Sequence, residues 1–196
     1  TGGIIPLCGT AKTTTQNWIT LEGCKLALQS DINYNNGDYI SPPKKGLKAF
    51  SRNYTSTLFD KEGYEEGLHL NLFDGFEDTE SYLDYMDAFF GSIDANDLLG
   101  MLNTWQMGDI GKHQKFNNNT KEALANINCP ALVMPSSTDL SFPARNNIPE
   151  VNEMSEAELV VINTKHGHLA GGMSTALTSQ EDVTFIDKNI KEFLKK

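Results

Sequence analysis

The chain has 196 residues, a mass of 21.7 kDa, 39% apolar and 21% charged residues, and a net charge of −10. That length suffices for one well-buried core, and no apolar run is long enough for a membrane-spanning helix. The acidity argues against nucleic acid and anionic membrane surfaces as partners, since both need a basic face.

In chain order, IIPLC at 4–8 predicts a short buried strand that Gly9 and Thr10 end. Apolar spacing over 18–28 predicts a helix, and DINYNNGDYISPPKK breaks it with turn residues. Helical periodicity returns over 46–59, 79–90 and 94–106. Asn117, Asn118 and Asn119 ahead of Thr120 read as a loop and N-cap before EALANI. Beyond Pro130 the rhythm becomes strand, loop, helix, with strands at 131–135 and 158–163 and a last helix through DVTFIDKNIKEFLKK.

Strands alternating with helices imply a parallel sheet and an α/β fold. Core segments at 1–14 and 128–196 would flank a helical insertion at 15–127. Three parallel strands leave an apolar edge that something must cover, and a missing amino-terminal half is the simplest candidate. The opening TGGIIPLCG lacks the pattern of a signal peptide, so we expect a processed chain or a piece of a longer one.

Between residues 60 and 97, twelve acidic residues face one Lys. No calcium-loop spacing accompanies them, so a solvated helical face is expected. Cys8, Cys24 and Cys129 are too few and scattered for a disulfide framework or a zinc site, and a reducing, cytoplasmic setting follows.

The residues with chemical promise are Asp139 in SSTDLSFP and His168 in TKHGHLAGG. Each follows an apolar strand, so in a parallel sheet both loops open at the carboxyl-end face. An acid followed by a histidine, in that order, forms the last two members of an α/β-hydrolase triad. The acid would hold the imidazole in one tautomer and stabilise it once protonated. His166 competes for the base, but Gly167 lets the loop bend to present His168. No G-x-S-x-G nucleophile elbow occurs. Weaker nucleophile candidates are Ser174, which follows the histidine, Cys8 at a strand end, and Thr1 at the amino terminus.

IIPLCGTAKTTTQNW, FEDTESYLDY, DANDLLGMLNTWQMGDIG, PALVMPSSTDLSFP and the GHLAG around His168 cover nearly the whole chain in order. On these stretches the sequence resembles the homoserine O-acetyltransferase family of α/β-hydrolases, especially its hydrolase-like branch. The resemblance implies a partial α/β-hydrolase fold, a few parallel strands with a large helical lid insertion that also supports a homodimer. It implies a serine upstream of Thr1, with Asp139 and His168 as acid and base of acyl transfer, by an acyltransferase or an esterase. A non-catalytic, partner-binding subunit or a truncated product of that family is the alternative. No cofactor or metal is implied; acetyl-CoA or another acyl donor would be a substrate. Arg52 matches a lid arginine that binds the substrate carboxylate. Two departures stand out. Leu169 replaces the Asp that would follow the histidine and hold an amine, and Phe59 replaces a Tyr. Loss of the carboxylate weakens the case for an amino-acid substrate.

Overall fold

The computed structural model describes residues 2–195. Its helices and strands are α1 (Thr15–Gln29), α2 (Lys44–Thr55), α3 (Lys61–Glu65), α4 (Thr79–Gly91), α5 (Ala95–Met107), α6 (Thr120–Ala125), β1 (Ala131–Val133), α7 (Ala144–Glu153), β2 (Ala157–Leu159) and α8 (Gln180–Phe193). By contacts the chain forms two compact units. One holds residues up to Lys12, Leu58–Gly75 and everything from Asp109; the other holds Thr13–Thr57 and Phe76–Gly108. Residues 58–75 and 109–127 therefore group with the strands, although they fall inside the 15–127 stretch of the sequence reading.

In the first unit β1 pairs in parallel with β2, Leu132 opposite Glu158. On the other side of β1 the 4–8 stretch also runs parallel, through bridges Ile4–Ala131 and Leu7–Met134. Ile4 N–H donates to Pro130 O at 3.0 Å and Cys8 N–H to Met134 O at 3.1 Å. Pro6 between them offers only its carbonyl, which takes Met134 N–H at 2.9 Å, so this strand is an interrupted ladder. Ile5 and Leu7 alternate to the far side, and no described backbone group takes their N–H. The fold class is α/β, with a few parallel strands and a large helical insertion.

The core of this unit is Leu132, Met134 and Ile162 from the sheet, Cys8, and Ile186 and Phe193 of α8. Ile186, Ile190 and Phe193 fall at helical spacing on one face of α8, which therefore lies on the sheet. Burial of a side chain such as Ile186 contributes about 1.5–3 kcal/mol. Ser179 caps α8, acidic residues occupy its first turn and Lys191 its last, as the helix dipole favours.

In the second unit α1 packs on α2 and α5, and α2 on α4. Gly46 permits the close approach of α2 to α1, since a Cβ there would stand 2.2 Å from Leu28 O. Phe50 stacks on Tyr54 at 5.5 Å and meets Phe90 edge-on at 5.1 Å. The helix predicted over 46–59 ends at Thr55, because buried Leu58 and Phe59 already belong to the first unit. Part of the acidic block is not merely solvated: Glu80, Asp84 and Asp87 line one side of α4 and converge on Arg52.

Candidate active site

Strand β1 leads into a loop that carries Asp139, whose carboxylate is buried. Its Oδ1 accepts Ser141 N–H at 2.8 Å and Phe142 N–H at 2.9 Å, a local turn that satisfies one oxygen within its own loop. Oδ2 is left for His168, whose Nδ1 lies 2.8 Å away. Three donors offset the cost of burying this group. An ionised carboxylate can only accept, so a ring proton sits on Nδ1, and in the neutral tautomer the lone pair is on Nε2. Among the described residues none bonds Nε2, and the His168 side chain is 32% exposed. When the imidazole is neutral, this arrangement leaves its basic nitrogen, Nε2, open to a proton donor.

The position of His168 is set by its neighbours. Gly167 has φ +55°, and a Cβ at that position would stand 2.4 Å from Leu58 O. His168 N–H donates to the same carbonyl at 2.9 Å. Phe142 lies against the imidazole, ring centres 5.3 Å apart. The glycine permits the bend that the sequence suggested. Leu58 was not foreseeable, because its part is a backbone contact across more than half the chain. The Asx-type turn of Asp139 had a signal, a short acid two residues before Ser141.

His166 does not share this carboxylate. Its Nδ1 lies 3.2 Å from Asp182 Oδ2, so the two histidines answer to different acids. Arg52 lies in the other unit, with its guanidinium committed to α4. Nε donates to Asp87 Oδ2 at 2.9 Å and the terminal nitrogens to Glu80 at 2.8 and 3.2 Å, with Asp84 at 3.3 Å. The bond to Glu80, then that to Asp87, holds its pKa above the ordinary arginine value.

Cys8 is a poor nucleophile. Burial first, then the charge of Asp139, push its thiol up to about 11, so the thiolate is scarce at neutral pH. Ser174 Oγ accepts Ala176 N–H at 3.2 Å within a turn. Thr1 lies outside the described residues. Among the described residues no cluster could hold a metal ion, and no helix is long and apolar enough to cross a membrane.

No family model matches the chain. It is 33% identical over 190 residues to a probable esterase of Corynebacterium glutamicum, covering 95% of this chain and 52% of that protein. The ethyl acetate hydrolase of Pseudomonas veronii is 28% identical over 166 residues, 83% of this chain and 46% of that one. The homoserine O-succinyltransferase of Saccharophagus degradans is 28% identical over 181 residues, 79% and 45%. Among solved structures, an acetylester hydrolase from Corynebacterium glutamicum superposes with a TM-score of 0.88 at 30% identity, over 100% of this chain and 54% of that one. The chain belongs to this family of α/β-hydrolases. It spans about half the length of the curated relatives it matches. In this chain Asp139 and His168 lie on the loops that follow adjacent parallel strands, hydrogen-bonded to each other.

Proposed function

We propose that this chain supplies the acid and the base of a serine-dependent acyl-transfer site, in an ester hydrolase or acyltransferase. The observation that carries the reading is the 2.8 Å bond from His168 Nδ1 to buried Asp139, with Nε2 left unbonded. The nucleophile is a serine on a segment upstream of Thr1. Its hydroxyl oxygen attacks the acyl carbonyl as its proton passes to Nε2 of His168. The imidazolium, stabilised by Asp139, then gives that proton to the departing alkoxide or thiolate and leaves an acyl-serine. Water or an alcohol reverses the sequence and frees the acid or a new ester. Backbone amides of the upstream segment hold the oxyanion.

Ester hydrolysis is favoured over transfer to homoserine. Leu169 beside the base offers no carboxylate to pair with a substrate ammonium. A short acyl ester needs none, and esterases stand among the relatives. Arg52 remains a candidate ligand for a substrate carboxylate, by exchange with Glu80. The helices between 15 and 127 act as a lid and a homodimer surface. The amides of Ile5 and Leu7, without described partners, mark the edge where an upstream strand adds.

Labelling of the full-length natural protein with a fluorophosphonate, followed by peptide mapping, tests the reading. The label is expected on a serine outside residues 1–196. A label on Ser174, or none at all, contradicts it.

A further inference from the structure

The loop that ends in His168 is anchored at its start to a second buried carboxylate. Asp182 lies in the first turn of α8, where its N–H donates to Ser179 Oγ at 3.0 Å and the helix terminus favours negative charge. Its Oδ2 accepts Thr178 Oγ1 at 2.5 Å and Thr164 Oγ1 at 2.7 Å, with His166 Nδ1 at 3.2 Å. Thr164 Oγ1 also accepts His166 N–H at 3.1 Å and lies 3.1 Å from His166 Nδ1. A hydroxyl has one proton, and that of Thr164 goes to Asp182. His166 Nδ1 therefore carries the hydrogen it shares with these oxygens.

Thr164 is also held from the acid loop. Its N–H donates to Ser137 Oγ at 3.1 Å, and its carbonyl accepts Ser137 Oγ at 3.1 Å and Thr138 Oγ1 at 2.9 Å. Thr138 Oγ1 in turn accepts Gly167 N–H at 3.2 Å. Residues 164–167 are thus fixed to α8 on one side and to the neighbours of Asp139 on the other. Burying a carboxylate costs free energy that an apolar side chain would avoid. Here that charge organises the two residues from which the base loop departs.

We propose that Asp182, acting through Thr164 and His166, is a positioning residue for the base, setting the loop so that His168 meets Asp139 at hydrogen-bond distance. For its effect on turnover this rests on the acyl-transfer reading above, but the placement of His168 can be read without turnover. The test compares Asp182→Ala, the isosteric Thr164→Val and the conservative Thr164→Ser in the full-length protein. Two readouts are used: hydrolysis of p-nitrophenyl acetate, and the low-field proton signal of the His168–Asp139 bond. A shift of the base by about an ångström predicts that kcat falls about ten- to a hundredfold in Asp182→Ala and Thr164→Val, with KM nearly unchanged. Their His168 proton signal is lost or shifted, and Thr164→Ser restores both readouts. A folded Thr164→Val with wild-type kcat and an unmoved signal overturns the proposal, and so does a folded Asp182→Ala with the same result. Should Asp182→Ala not fold, Thr164→Val decides alone. Should the wild type not hydrolyse the ester, the acyl-transfer reading fails while the proton signal still decides this one.

Discussion

Asp139 shows how one short side chain does two jobs. Its first oxygen is satisfied by amides two and three residues on, so its orientation is held from within its own loop. The second oxygen then selects the tautomer of His168. Cys8 shows the opposite case, a reactive group that the fold silences. Cys8 and Cys24 are both held up at about 11 by burial, against an ordinary 9.0. Such thiols stay protonated in the native chain at a pH where the unfolded chain has already lost the proton. Stability is therefore untouched below about pH 9 and falls as pH rises through about 11, by roughly 2–3 kcal/mol per thiol. Urea unfolding of the wild type and of Cys24→Ala at pH 8 and pH 11 checks this. The expected loss is smaller in the variant, and an equal loss in both would show that Cys24 carries none of it.

At the scale of elements, the loop between β2 and α8 matters most. Gly167 allows a left-handed turn there and leaves room for Leu58 O, which also takes the His168 N–H. Gly167→Ala puts a methyl group into that carbonyl and strains φ, a cost of about 1–3 kcal/mol. The expected outcome is a folded protein with a lower Tm and an ester-hydrolysis rate depressed more than that stability loss explains, measured by calorimetry and initial rates. Wild-type rates would show that the glycine is not needed to present the base. The glycine itself was legible in the sequence, as were the long helices, because periodicity and capping are local signals. Asn119, accepting Glu122 N–H, closes its helix start as the sequence suggests, and Asp78 with Ser81 closes that of α4. Helix α3 was not legible. Five residues give no periodicity, and it packs where a Cβ on Gly63 would stand 2.6 Å from Lys165 O, far along the chain. The resemblance alone matched Arg52 to a substrate-binding arginine, and sequence displays the cation while hiding its partners. Glu80, Asp84 and Asp87 share one face of α4 by their spacing, but the approach of Arg52 from α2 to that face is a long-range contact.

For the molecule as a whole, the strands in chain order and the two strand-end loops were readable, since apolar runs ended by turn residues announce both. The grouping of residues 58–75 with the strands was not, for that segment is tied by backbone contacts such as Phe73 N–H to Ala176 O rather than by pattern. The interrupted ladder at 4–8 follows from Pro6, and its outward amides fit an added strand. At this scale we propose His168 as the base of a serine-dependent acyl transfer, oriented by Asp139. The most direct measurement is kcat/KM for p-nitrophenyl acetate in the full-length protein, wild type against His168→Ala, with folding verified by circular dichroism. The account predicts a fall of about 10⁴-fold, the scale on which disabling such a triad acts; an unchanged kcat/KM in the folded variant would contradict it.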